Sequence, residues 1–317
     1  MHANPLIHLR YHLSSGVDHS SDIYCPRKVR GDCRVEEIIA ALRISTPFLL
    51  AALGELIIER SGVLNLGIEG VMTLGAFSAF ITAYFTGNPL LGFLVSCAIG
   101  AAIGLLTHIL LVDLGTNQHV TGLGITLLLT SLSYFLYRTI FSAPTAQPMV
   151  RGGNPATITA LAFFLYAIAY LVQRTKIGLI LKACGDNAKA LDRMGHDPFL
   201  VRKVALVLGN LLIGLGGSFL SIAQYNSFLF NIVGGRGWIS LALVSMGGWN
   251  PLRTLVFGLT FGFLEMLQIR AQIWFNQLLF LYPLFLMIPY VATILLLCLT
   301  HRSSRSPREL LRPYKRE

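Results

Sequence analysis

Apolar runs, most of them about 18 residues or longer, recur along the greater part of this chain, and each such run can cross the hydrocarbon core of a bilayer as a helix. The segments fall at residues 38–58, 63–85, 90–112, 121–141, 157–173, 204–223, 236–249, 251–269 and 278–299. They are continuous rather than alternating, which excludes a β-barrel, whose strands would be short and two-faced. Of the 317 residues, 54% are hydrophobic and only 13% charged, where an ordinary soluble domain carries about 25% charged residues. The expected fold is an all-α integral membrane protein, a polytopic bundle of about eight to ten transmembrane helices.

The formal net charge of +10 is concentrated rather than spread. Of 25 Lys and Arg, seven lie in 174–203, six in 300–317 and five before residue 38. Short basic loops stay in the cytoplasm, so all three segments are expected there, with both termini cytoplasmic. Attraction to anionic membrane lipids explains the same charge. No basic stripe is interleaved with aromatic residues as base stacking would require, which argues against nucleic acid. The sequence divides into an unstructured extension over 1–36, a permeation domain over 37–300 with its basic loop 174–203, and a basic tail over 301–317.

Two stretches break the apolar pattern. Residues 59–70 read ERSGVLNLGIEG and place Glu59, Arg60, Asn65, Glu69, Gly62, Gly67 and Gly70 where their surroundings indicate membrane. An ionisable side chain there costs roughly 2.5–3.5 kcal/mol on insertion scales and so calls for a reason. In the second half, Gly234, Gly235, Gly237, Gly247 and Gly248 bracket an apolar piece too short to span comfortably, near 234–248. Broken or re-entrant backbone at membrane depth must be buried in protein or line a wet cavity. Two Gly-broken segments, one in each half, point by analogy with secondary transporters to a transport pathway. Parity agrees: five apolar runs separate two segments both expected in the cytoplasm, so one run, 59–70 being the best suspect, is expected to break or re-enter.

Asn65 and Glu69 are expected to face the bundle interior, with Gly62, Gly67, Gly70 and Gly237 permitting close approach or a bend. Glu69 has two candidate partners, amides freed at a broken helix or a passing polar solute; buried polar groups must be paired in either case. Glu265 and Gln268 share a helix face and, with Arg270, read as interhelical contacts or an interfacial anchor. Arg236 and Trp238 fit the mouth of the pathway, Trp238 also an interfacial anchor. Arg138 and Arg151 mark membrane edges.

Within the basic loop, KACGDNAKALDRMGHDP over 182–198 spells a short helix: Asp186 or Asn187 as N-cap, Gly195 as stop, Pro198 after it. Ala188, Leu191 and Met194 share one side and Lys189, Asp192 and Arg193 the other. A helix of barely two turns is marginal alone, so it packs on its own membrane domain or on a separate cytoplasmic protein. The chain has no GxxxxGK[ST] loop to cradle nucleotide phosphates, so it cannot run an ATP-driven pump by itself. HExxH and a Ser/His/Asp constellation are also absent, and no catalytic residue is assigned. The cysteines Cys25, Cys33, Cys97, Cys184 and Cys298 form no CxxC pair, so neither a disulfide framework nor a metal site nor a cofactor is implied.

ERSGVLNLGIEGVMTLGAFSAF (59–80), KIGLILKACGDNAKALDRMG (176–195) and GRGWISLALVSMGGWNPL (235–252) resemble, in order, three signature regions of the permease subunits of bacterial ABC importers in the branched-chain amino acid, ribose and nucleoside group. The likeness is strongest to the nucleoside or simple-sugar branch and extends over about residues 40–300. It implies residence in the bacterial inner membrane, pairing with a second related permease, two cytoplasmic ATP-binding subunits, and delivery of a small polar solute by an extracytoplasmic binding protein or lipoprotein. It also implies that Asn187, Ala188, Leu191, Met194 and Gly195 belong to a helix that docks on the ATPase, so that a charge at Leu191 is expected to uncouple transport without preventing insertion. Branched-chain amino acids are an alternative solute. A self-sufficient ion-coupled transporter, using Glu69 and Glu265, is the alternative mechanism.

Overall fold

In the computed structural model the described residues are 30–141, 148–150, 155–274, 282–300 and 306–311. Residues 1–29, the expectations for Cys25 and most of the N-terminal extension among them, lie outside that set, as does Arg151. The chain divides into two units, Met1–Ile38 and Ile39–Glu317; of the first, the described residues are the opening turns of a helix.

The described elements are helical. They are α1 (Arg30–Arg60), α2 (Ile68–Thr86), α3 (Pro89–His108) continued by a π-helical turn (Ile109–Asp113), α4 (Gln118–Phe141) and α5 (Pro155–Val172), followed by α6 (Lys176–Asp186), α7 (Ala188–Arg193), α8 (Pro198–Phe219) with a second π-helical turn (Leu220–Gln224), α9 (Arg236–Met246), α10 (Pro251–Trp274) and α11 (Tyr282–Thr300). Each of the nine apolar segments read from the sequence coincides with one of these helices. Among the described residues six helices are long and apolar enough to cross a membrane, seven if α5 and α6 count as one bent span. Starts are spelled locally. Asn88 accepts from the Leu90 N–H before Pro89, and Asp197 from the Phe199 N–H before Pro198. Asn250 accepts from the Leu252 N–H before Pro251. In each case a short polar side chain satisfies an amide that the first turn leaves open, and proline stands where no amide is needed.

The centre of the bundle is α1, α2 and α8, buried for most of their length; α3, α4 and α10 are mostly exposed on the outside. Small residues set the spacing, as expected where lipid is as apolar as leucine and close packing must hold helices together. α3 runs antiparallel to α8: the Ser96 hydroxyl donates to the Gly214 carbonyl (2.8 Å), Gly100 faces Asn210, and Gly104 faces Leu206. α1 also runs antiparallel to α8. Arg43 donates to the carbonyls of Ala223 and Gln224 (3.1 Å each), Gly54 abuts Gly209, and Gly62 lies against Arg202. Phe48, Leu53 and Leu56 of α1 pack with Leu243 of α9 and Phe261 of α10 in a second core.

This geometry corrects one expectation. The interruption at 59–70 is a tight turn between two complete spans, α1 and α2, so it does not remove a crossing. The sharp bend lies between α5 and α6, where the axes turn by 78°. Five passages therefore stand between the Ile39 end of α1, beside residues 223–224, and the 174–203 loop at the start of α8. Those two ends lie at opposite ends of the antiparallel α1–α8 pair. The described tail residues do lie on the loop's face: the Glu309 N–H donates to the Gly185 carbonyl (2.8 Å).

A side chain at Gly104 would put its Cβ 2.6 Å from the Leu206 carbonyl oxygen and 2.7 Å from Val207 Cα, both backbone, whereas a Cβ at Gly124 meets nothing within 4 Å. Gly104→Val is expected to destabilise the purified protein by about 1–3 kcal/mol or more, the usual cost of overpacking. Gly124→Ala is expected to be neutral or stabilising by up to about 1 kcal/mol. Thermal melts in detergent check both.

Candidate functional site

The turn joining α1 to α2 is buried in the protein, and its amides are matched to side chains from α1, α4 and the turn itself. Gly62 takes a left-handed conformation (φ 90°) and lets the chain reverse. The Leu64 N–H donates to Gln118 Oε1 (2.8 Å), the Asn65 N–H to Glu55 Oε1 (3.0 Å), and the Gly67 N–H to Asn65 Oδ1 (3.1 Å). The Asn65 carboxamide also donates to Asn210 Oδ1 (3.0 Å), tying the turn to α8. Gly67 and Gly70 pack on Ile125 and Thr126 of α4, whose Thr126 hydroxyl donates to the Leu66 carbonyl (2.8 Å). Asn65, Gly62, Gly67 and Gly70 thus hold the turn and the α2–α4 contact; the cavity described below is bounded by other residues.

Glu69, at the start of α2, reaches across to the start of α9. Gly235 has φ 86° and α9 begins at Arg236, so its first amides have no carbonyl partner within the helix. The Gly235 N–H donates to Glu69 Oε1 (2.7 Å) and the Gly237 N–H to Oε2 (2.8 Å). Of the two partners considered for Glu69, the structure shows the freed amides. Its negative charge also suits the positive end of the helix. Gly237 is the contact itself: a Cβ there would lie 2.7 Å from Glu69 Oε2.

The other end of α9 is fixed to the end of α1. Gly248 (φ 60°) and Trp249 (φ 56°) turn the chain, the Trp249 indole N–H donates to Glu59 Oε2, and Arg60 Nε donates to the Trp249 carbonyl (2.6 Å). The short apolar piece expected near 234–248 is therefore an 11-residue helix tied at both ends to the 59–70 region.

Next to the start of α9, on the side away from the 174–203 loop, lies a cavity of about 300 Å³ bounded by α1, α9, α10 and α11. Arg236, Glu265 and Gln268 supply its polar wall and Phe48, Phe261 and Tyr290 its rings. Arg236 donates to Glu265 (2.8 Å) and to the Tyr225 hydroxyl (3.3 Å), so Glu265 does join two helices, as read from its spacing. Arg236 lines this cavity. Sequence reading did not single out Glu55, Gln118, Asn210 or Arg202. The last is 1% exposed, its Nε donating to the Ser61 carbonyl (3.3 Å); in sequence it looks like one more basic residue of the loop.

At the opposite face, α7 forms as its spacing indicates. Asn187 accepts from the Ala190 N–H (3.0 Å) and Gly195 terminates the turn at φ 84°. Ala188 and Leu191 are buried against the chain's own α6 and α8, while Lys189, Arg193, Met194 and Gly195 are exposed. A charge at Leu191 therefore disturbs this internal seat as well as any docking, and Met194 is the cleaner probe of an outside partner.

Residues 37–289 match the family described as the branched-chain amino acid transport system permease component. The putative glucose ABC transporter permease protein TsgC13 of Haloferax volcanii is 35% identical over 74% of this chain and 77% of its own length. The guanosine ABC transporter permease protein NupQ of Bacillus subtilis is 29% identical over 81% of this chain and 89% of its own. The nucleoside ABC transporter permease protein NupC of Lactococcus lactis is 30% identical over 86% and 94%. No solved structure matches. With a bundle of membrane-crossing helices and a family match over most of its length, this chain belongs to the branched-chain amino acid transport system permease family and is a multi-pass permease subunit of an ABC transporter.

Proposed function

We propose that this chain forms one membrane half of an importer for nucleosides or simple sugars, driven by separate ATPase subunits and fed by an extracytoplasmic binding protein. The observation that carries the coupling is α7. It is a capped two-turn helix seated through Ala188 and Leu191 and presenting Met194 and Arg193 outward, on the face where the basic loop and the described tail residues meet. Basic loops stay cytoplasmic, so this face points into the cell and the cavity lies toward the outer face. Motion imparted to α7 has a packed route inward: Gly185, just before it, abuts the Arg60 carbonyl, and Arg60 holds Trp249 at the end of α9. α9 then leads to Glu69 and the cavity.

The solute class rests on the relatives, named for glucose, guanosine and nucleosides; the family description alone names branched-chain amino acids. A second permease is supported by paired relatives. Haloferax volcanii has TsgC13 at 35% and TsgB13 at 24% identity, and Lactococcus lactis has NupC at 30% and NupB at 23%. This chain takes the place of the more similar member of each pair, and its partner is a homologue of the other. Asn65, Glu69, Gly62, Gly67, Gly70 and Gly237 serve the pathway as the frame that positions its movable wall.

Met194→Asp is expected to melt within about 0.5 kcal/mol of the parent, as exposed substitutions do, and to lower ATP-driven uptake at least tenfold in the assembled complex. Normal uptake by that variant removes the docking assignment, and gradient-driven uptake by the lone chain in proteoliposomes removes the ATPase requirement. Glu69→Leu leaves two buried amides unmatched and is expected to cost about 1–3 kcal/mol for each. Glu69→Gln, which keeps one acceptor oxygen, is expected to lie between it and the parent in thermal melts.

A further inference from the structure

The cavity beside α9 holds more hydrogen-bonding capacity than its own residues use. Arg236 and Glu265 are paired, yet Nε of Arg236 and Oε2 of Glu265 make no hydrogen bond to another described residue. Gln268 lies one turn from Glu265 on the same face of α10, is 9% exposed and lines the same cavity. Groups of this kind, set in a largely apolar bundle, are costly unless something meets them. The same cavity is bounded by rings: Phe48 and Phe261 meet edge to face at 5.0 Å, and the Arg236 guanidinium lies 5.7 Å from the Phe48 ring centre. Tyr290 stands opposite α9 on α11. At about 300 Å³ the cavity is at the small end of ligand sites, which run to about 1,000 Å³.

We infer that this cavity is a binding site on the solute pathway for the nucleobase of a nucleoside, with Gln268 and the Arg236–Glu265 pair reading the base edge and the surrounding rings covering its faces. The inference rests on the importer reading above and narrows its solute. A carboxylate oxygen only accepts and a guanidinium only donates, while a carboxamide does both. The wall is therefore matched to an edge that offers an N–H beside a carbonyl, as the lactam of guanine or uracil does. A hexose presents hydroxyls that donate and accept alike, so an ordered set of donor and acceptor gives it no advantage. The location suits the role: the cavity is walled by the first turn of α9, the element whose far end is tied through Arg60 to the α7 region, so a movement there alters the site's shape.

The test uses cells expressing the full chain with its transport partners and measures uptake of radiolabelled guanosine and glucose. Gln268→Met keeps the length of the side chain and removes its hydrogen bonds; Val256→Ala alters an exposed residue of the same helix. Gln268→Met is expected to reach the membrane at parental levels and lower guanosine uptake at least tenfold, with Val256→Ala unchanged. Photolabelling of the parental complex with 8-azidoguanosine is expected to mark peptides containing Phe261 or Tyr290, and this readout holds if Gln268→Met accumulates poorly. Guanosine uptake unaltered by Gln268→Met, or labelling confined to other helices, overturns the site while leaving the importer reading standing. Glucose uptake alone, sensitive to Gln268→Met, keeps the cavity on the pathway and overturns the nucleobase. Uptake of neither solute by the parent overturns the choice of nucleosides or sugars as cargo, whatever the variants do.

Discussion

A helix that starts inside a membrane domain exposes amides that neither lipid nor its own carbonyls can satisfy, and the placement of this protein's polar residues follows from that constraint. α9 is such a helix, and the Glu69 carboxylate is its cap. The α1–α2 turn poses the same demand in a different form, and Gln118, Glu55 and Asn65 answer it one amide at a time. These side chains come from α1, α2, α4 and the turn itself. The cost of leaving any one amide open therefore ties distant stretches of sequence to one arrangement.

The consequence is a division between frame and insert. α1, α2, α3 and α8 are packed at glycine-limited distances, Gly54 on Gly209 and Gly104 on Leu206, where no side chain can be added without parting the backbones. α9 is held differently. Its apolar face contributes to the core with Phe48 and Leu53, but its two ends are fixed by polar contacts, Glu69 at one and Glu59 with Arg60 at the other. Polar end contacts are directional and few, whereas the frame's contacts are continuous.

Much of this was legible in the sequence because the membrane leaves few options. Long apolar runs predict spans, and the glycine-flanked stretch at 234–248 marks an apolar piece too short to span comfortably. The polar residues of 59–70 announce buried satisfaction of backbone. What could not be read was partnership at long range. Glu55 looks like a stray charge in LLAALGELII until the turn ten residues later folds back to donate to it. Asn210 and Arg202 lie far from 59–70 in sequence, and nothing local marks either as its partner. The topology misreading has a related cause: a glycine-rich polar interruption looks the same whether it kinks one span or turns tightly between two. Only the antiparallel contacts of α1 with α8 decide between them. The same holds for α7, where Ala188 and Leu191 of the expected apolar face are buried and Met194 is exposed; its seat, on this chain's own α6 and α8, is a property of the folded molecule.

The carboxylates also bear on mechanism. A secondary transporter needs a carboxylate free to exchange its partner during the cycle, and the sequence offered Glu69 and Glu265 for that role. Both oxygens of Glu69 are engaged by amides at the start of α9, those of Gly235 and Gly237, an arrangement in which the charge is already matched to a fixed dipole and to two fixed donors. Releasing it for an ion would open the start of α9 each cycle. Glu265 keeps one oxygen toward the cavity, but its other oxygen holds Arg236, the residue on which α9 begins. Both groups are thereby committed to positioning α9. Under the proposed importer reading, buried charges spent on holding α9 in place suit a chain whose movement is imposed from elsewhere, and the exposed turn at Met194 and Gly195 is the proposed point of contact.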